Sequence, residues 1–222
     1  MRFQTLAAGA PVTLALLGVI ALAFVGQEAS GRALTSAGVL YGPAVQAGEW
    51  WRLASSGFLH GGLLHVGLNG FMLYALGGPL ERGIGSARFA LVALGSLLAG
   101  ALAVMLFDWD QPTLGASGMV MGVAAAFAVA IHAQGGDPRQ HPTFGLVILN
   151  LAIPLLAPGI SFWGHLGGAV GGALLAWLVV WRPMRSGRGS SGGRSVGTSA
   201  GLAAVVLLGA AAVAAARSGG AT

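Results

Sequence analysis

Hydrophobic residues form long runs along this chain, and short polar segments separate them. A helix that crosses a bilayer needs roughly 20 mostly apolar residues. Seven runs approach this length, and they cover approximately residues 9–27, 58–79, 87–107, 115–133, 143–157, 162–181 and 199–216. The fifth run is short and contains Pro154. The pattern therefore predicts an all-α membrane protein.

The composition agrees with a membrane environment. Hydrophobic residues make up 55% of the 222 residues and charged residues only 8%, whereas a soluble domain has about 25% charged residues. Cysteine is absent, which excludes disulfides, thiolate metal sites and a cysteine nucleophile. The 11 basic residues are all arginine and give a net charge of +5. Because they are dispersed between the apolar runs, we expect the lipid bilayer as partner and no nucleic acid.

The arginines also predict the orientation, because cytoplasmic loops collect basic residues. With the N-terminus inside, eight arginines lie in inner segments: Arg2, Arg82, Arg88, Arg139, Arg182, Arg185, Arg188 and Arg194. Three then lie in outer segments: Arg32, Arg52 and Arg217. We expect a multi-pass protein of the cell membrane with a cytoplasmic N-terminus and an outer C-terminus.

The first run has an alternative interpretation as a secretory signal, because Arg2 precedes it. No small-x-small cleavage site follows it and six more runs come after, so we expect a retained span. Residues 28–57 form a long outer loop in which Trp50 and Trp51 are typical of interfacial anchors.

The predicted organisation has three parts. Residues 183–198 consist largely of Gly, Ser and Arg, the composition of a flexible linker. The chain is thus divided into a six-helix core over 1–182, a cytoplasmic linker over 183–198 and an additional transmembrane helix over 199–216.

Unusual polar residues open the second, fourth and sixth runs. They are His65 and Asn69, then Ser117, then His165. All three runs enter from the outer face in the predicted topology, so these side chains lie at similar depth in the outer half of the bilayer. Polar groups at such positions are costly and often functional.

Spacing within the second run distinguishes its histidines. His65 and Asn69 are four residues apart and share a helix face. His60 lies five residues before His65, roughly 140° around a helix, and is not expected to line the same site.

Glycines flank the serine and the second candidate histidine. Gly118 and Gly122 form one small-residue face, and Gly168 and Gly172 form another. Such faces let two helices approach closely. Close packing here could bring the Ser117 hydroxyl and the His165 imidazole within about 2.6–3.2 Å.

This combination fits nucleophilic catalysis. A serine hydroxyl needs a neighbouring base, and neutral histidine is suited to that role. The oxyanion that forms needs donors, for which the candidates are the Asn69 amide, the His65 imidazole and the Ser117 backbone N–H.

No acid is placed to orient His165. Asp108 and Asp110 lie in the preceding outer loop and are expected to be solvated. The sequence therefore indicates a Ser–His dyad.

Each residue alone has another explanation. A serine in a membrane helix can bond to its own backbone, and Asn69 could join helices. His165 could be buried, relay protons or bind haem. Zinc is disfavoured because the spans contain no His-Glu-x-x-His run. We predict neither a metal nor a cofactor.

Taken together, the motifs of residues 48–182 resemble the rhomboid family of intramembrane serine proteases. They occur in the family's order: Glu49-Trp50-Trp51-Arg52 with Phe58-Leu59-His60, His60-x4-His65-x3-Asn69, Glu81-Arg82 before Gly85, Gly115-Ala116-Ser117-Gly118, and His165-x2-Gly168-x3-Gly172.

The resemblance implies a six-helix protease core, here in a six-plus-one form, whose site opens to the outer face. Ser117 would be the nucleophile, His165 the general base, and His65, Asn69 and the Ser117 amide the oxyanion hole. Substrates would be single-pass membrane proteins cut near the outer end of their span. Met121 departs from the pattern, since an aromatic residue often stands four positions after the serine.

Two other classes of function compete. One is an inactive relative that binds membrane helices, for which Met121 is the only indication. The other is a transporter, which needs polar residues through to the inner face. The inner halves of the even-numbered runs carry only Tyr74 and Trp177 as hydrogen-bonding side chains, which disfavours a continuous pathway.

Overall fold

The computed structural model describes residues 9–141, 143–156 and 160–181. These residues form nine α-helices: α1 (Pro11–Ala29), α2 (Ala33–Gly38), α3 (Gly42–Gln46), α4 (Arg52–Ser55), α5 (Leu63–Ile84), α6 (Ser86–Phe107), α7 (Ser117–Ala133), α8 (Thr143–Leu156) and α9 (Phe162–Ala176). A π-helical turn over Trp177–Trp181 extends α9. Within the described ranges no strand forms, and Leu40 pairs with Thr113 in one isolated bridge. The all-α prediction is confirmed.

Four of the described helices are long and apolar enough to cross a membrane: α1, α5, α6 and α9 with its π-helical turn. α7 has 17 residues of similar character, and α8 has 14 with Pro154 inside it. The first six predicted runs each fall on one of these helices. The linker 183–198 and the span 199–216 lie outside the described residues, so the six-plus-one count stays a prediction.

α6 is the most enclosed of the long helices, with 56% of its apolar window buried against 22% for α1. Its residues Phe89 and Val92 are fully buried in the main core. The exposed side chains of α1, such as Leu22 and Val25, point outward, as expected for a surface that faces lipid. α6 is therefore the central helix.

The predicted outer loop contains α2, α3 and α4, and Arg52 holds its turns together. The guanidinium group donates to the Glu49 carboxylate and to the carbonyls of Ser36 and Val39, each 2.8 Å away. Trp51 is 56% exposed and donates to the Ala37 carbonyl at 2.9 Å. These hydrogen bonds thus tie the turns of the loop to one another.

A buried carboxylate joins three helices at the opposite end. Glu81 of α5 is 1% exposed and accepts from the Val12 and Thr13 amides at 2.9 and 2.8 Å. It also accepts from the hydroxyls of Thr13 and Ser86. The first amides of a helix have no partner within the helix, and a negative group is favoured there. Glu81 therefore caps α1 and ties it to α5 and α6.

We expect Glu81→Ala to lower the free energy of unfolding by about 2–3 kcal/mol, because four donors, two of them buried, lose a charged acceptor. Unfolding in detergent micelles, followed by circular dichroism, measures this change. Glu28→Ala is the matched control because Glu28 is exposed. Equal stability of the two variants would show that Glu81 does not cap α1.

Candidate active site

α6, α7 and α9 come closest where their glycines meet. A Cβ atom added to Gly168 would lie 2.1 Å from the Gly118 carbonyl oxygen, and one added to Gly172 would lie 2.2 Å from that of Gly122. One added to Gly100 of α6 would lie 2.8 Å from the Gly164 oxygen. Since Cβ atoms do not come so close to other atoms, any side chain would separate these backbones.

The glycine contact determines where Ser117 and His165 lie. Ser117 precedes Gly118 at the start of α7, and His165 follows Gly164 in the first turns of α9. A Cβ added to Gly118 would lie 3.2 Å from the Gly164 oxygen. The two predicted residues are therefore each one position away from the contact, at the same level.

Gly115 shapes the turn that leads into α7. Its φ of 126° is a conformation that glycine adopts and other residues adopt only with strain. An added Cβ would lie 2.7 Å from the His65 ring and 3.8 Å from Ser117 Oγ. The turn thus places the serine beside the His65 imidazole.

Ser117 lines a cavity of about 60 Å³. His65, Ser56 and Ser161 contribute polar groups to the lining, and Leu97 and Val104 contribute apolar ones. A water molecule needs about 10–15 Å³ on this measure, so the cavity has room for several water molecules. Ser56 and Ser161 were not among the sequence candidates.

His165 is 5% exposed, and its ring is bound from one side. Nδ1 lies 3.0 Å from the Asn150 carbonyl oxygen of α8. A carbonyl only accepts hydrogen bonds, so Nδ1 carries the proton and Nε2 is the basic nitrogen. Nε2 is buried and has no hydrogen-bond partner in the described ranges. The Ser117 hydroxyl is thus not hydrogen-bonded to it in this structure.

His65 and Asn69 contact one another on α5. Asn69 is 7% exposed, and its amide donates to the His65 carbonyl at 3.0 Å. His65 Nδ1 accepts from the Gly61 amide at 3.3 Å. Its proton is then on Nε2, the atom beside Gly115. His65 therefore presents a donor toward the turn before Ser117.

His60 is not among the residues that line the cavity beside Ser117, but it lies closer to the serine turn than its spacing indicates. It precedes α5, which begins at Leu63, so helical spacing does not describe its position. Its Nε2 accepts from the Ala116 amide at 3.4 Å, and its ring packs edge-on against His65, with centroids 5.0 Å apart. His60 thus supports the serine turn from behind.

Asp108 also differs from its expected solvated state. Its carboxylate accepts a hydrogen bond from the Ser161 hydroxyl. That hydroxyl in turn accepts from the Gly164 amide at 3.0 Å and caps α9. The carboxylate therefore ties the end of α6 to the start of the helix that carries His165.

Comparison with known proteins identifies the family. A family model described as the Rhomboid domain matches residues 47–182, more than half of the chain. The chain belongs to the rhomboid family, as its motifs over 48–182 predicted. With several helices able to span a bilayer, it is a membrane protein of the multi-pass kind.

Three relatives illustrate the degree of similarity. Rhomboid protease GluP of Bacillus subtilis is 31% identical over 160 residues, 71% of this chain and 31% of the relative. Rhomboid-type serine protease 2 of Emericella nidulans is 33% identical over 126 residues, 54% of this chain and 25% of the relative. Rhomboid-related protein 3 of Homo sapiens is 30% identical over 124 residues, 56% of this chain and 30% of the relative. The matched part thus spans less than a third of each of these three relatives.

We expect Gly168→Ala to destabilise the protein and separate α7 from α9, because its Cβ has no room beside Gly118. A loss of about 1–3 kcal/mol is typical of overpacking. The unfolding temperature in micelles measures it. Gly67→Ala of α5 is the control, since nothing lies within 4 Å of an added Cβ there. Equal unfolding temperatures would contradict the glycine contact.

Proposed function

We propose that this protein is an intramembrane serine endopeptidase that cleaves single-pass membrane proteins. The observation that carries the proposal is the position of Ser117, half-buried on the wall of a water-sized cavity and one residue from the contact that brings in His165. Membership of the rhomboid family supports it, as do relatives that are named proteases.

The proposed first step is attack of Ser117 Oγ on the scissile carbonyl carbon. His165 Nε2 takes the hydroxyl proton as the new C–O bond forms. The Asn150 carbonyl keeps the imidazole proton on Nδ1, so no acid residue is needed to orient the base. Catalytic hydrogen bonds are often absent before substrate binds, and the Ser117–His165 bond would form in the complex.

The oxyanion of the tetrahedral intermediate needs donors that are already in place. The Ser117 N–H belongs to the first turn of α7, where backbone amides have no partner within the helix. His65 Nε2 lies beside the preceding turn. With the Asn69 amide, these groups would form the oxyanion hole, and the α7 dipole would favour the negative charge.

Collapse of the intermediate would break the C–N bond, with His165 returning the proton to the leaving amine. Water from the cavity would then hydrolyse the acyl-enzyme by the same proton route. The reaction needs no metal and no cofactor. With a cytoplasmic N-terminus in the cell membrane, the site would lie in the outer half of the bilayer, and substrates would be cut near the outer end of their span.

The second candidate is a relative that binds membrane helices without cleaving them. The Nε2 atom of His165 has no hydrogen-bond partner among the described residues, and this observation favours it. In that case substrate helices would copurify intact with the protein, and a fluorophosphonate probe would not label Ser117.

We expect Ser117→Ala and His165→Ala each to abolish cleavage of a membrane-spanning reporter in liposomes, because one removes the nucleophile and the other the base. Fluorophosphonate labelling should fall to background in both. Ser36→Ala and His132→Ala are matched controls at exposed positions and should cleave normally. More than a tenth of the parent rate in Ser117→Ala would refute the assignment.

We expect Asn69→Ala to slow cleavage about 10²–10³-fold through kcat, as for one oxyanion donor among several.

His60→Ala should keep more activity than His65→Ala, because His60 contacts the site only through the Ala116 amide and the His65 ring. Steady-state kinetics on the reporter measure both effects. If His65→Ala kept more activity than His60→Ala, the assignment of His65 to the oxyanion hole would be wrong.

A further inference from the structure

Pro154 lies inside α8, four residues after Asn150, whose carbonyl oxygen contacts the His165 ring. In an α-helix each carbonyl accepts from the N–H four residues later. Proline has no N–H. The helical hydrogen bond from position 154 to the Asn150 carbonyl therefore cannot form.

The Asn150 carbonyl has a hydrogen-bonding partner outside its own helix. Its oxygen lies 3.0 Å from His165 Nδ1. An N–H at position 154 would compete with the imidazole for this oxygen, and proline removes that competing donor. The carbonyl that lacks a helical donor at position 154 is thus the same one that the His165 imidazole contacts.

We propose that Pro154 is a positioning residue that fixes the tautomer of His165. By withholding a backbone N–H, it removes one competing donor for the Asn150 oxygen and so favours the hydrogen bond from the Nδ1 proton. The Nε2 lone pair is then available for the serine hydroxyl. The hydrogen bond made by one ring nitrogen determines which nitrogen is protonated. A hydrogen bond of ordinary net strength changes a tautomer ratio by about fivefold.

The His165 role rests on the proposed function, whereas the tautomer itself does not depend on activity. The other described proline inside a long helix, Pro79 of α5, gives a matched control. Both prolines lie inside a continuous helix, and the carbonyl four residues before Pro79 is not the one that His165 contacts. A general effect of removing a helix proline would appear in both variants.

The test is ¹⁵N NMR of ring-labelled histidine in micelles above the titration range, with the His165 signals assigned by His165→Ala. The parent should show mainly the Nδ1–H tautomer. Pro154→Ala should lower the Nδ1–H to Nε2–H ratio at least fivefold, and Pro79→Ala should change it less than twofold. The reporter assay should give a kcat about tenfold lower for Pro154→Ala with KM unchanged.

Several outcomes overturn the inference. A parent that carries the proton mainly on Nε2 would refute it without any variant, even if Pro154→Ala failed to fold. Equal ratios in the parent and Pro154→Ala would also refute it, as would an altered ratio with unchanged kcat. A correct tautomer in a parent that does not cleave would instead refute the proposed protease activity and leave the tautomer assignment standing.

Discussion

The backbone contact between α7 and α9 is the constraint on which the rest of the structure depends. Inside a bilayer, lipid is as apolar as a leucine side chain, so helices associate through close packing rather than through removal from water. The pairs Gly118–Gly168 and Gly122–Gly172 give these two helices atomic contact with no side chain between them. Ser117 lies one residue and His165 three residues from the Gly118–Gly168 pair, so the contact holds both at one level.

Several buried or partly buried polar groups join elements at the two ends of the helices. Glu81 binds the start of α1 at one end, while Arg52 and the Asp108–Ser161 pair hold the loop and α9 at the other. A buried polar group without a partner costs about 1–3 kcal/mol, which explains why such groups are paired. Among the described residues, His60 Nδ1 and His165 Nε2 are the exceptions.

The cavity beside Ser117 would supply water for the proposed hydrolysis at a membrane location. α6 supplies Leu97 and Val104, whereas the ordered outer loop and the ends of the helices supply Ser56 and Ser161. Water can be held there because the lining mixes donors and acceptors with apolar walls. Arg52, by fixing the loop, therefore contributes to the chemistry proposed for Ser117 although it lies outside the cavity lining.

The sequence by itself determined the helical class, the family and the residues to examine, because apolar run length and helical spacing depend only on local geometry. The sequence also contains a proline four residues after Asn150, but only the contact with His165 shows why that spacing matters. The tertiary structure decided the positions of His60 and Asp108, since both lie outside the regular helices and their partners are distant in the chain. It also decided which carbonyl contacts His165, because Asn150 and His165 lie on different helices and meet only when α8 packs against α9.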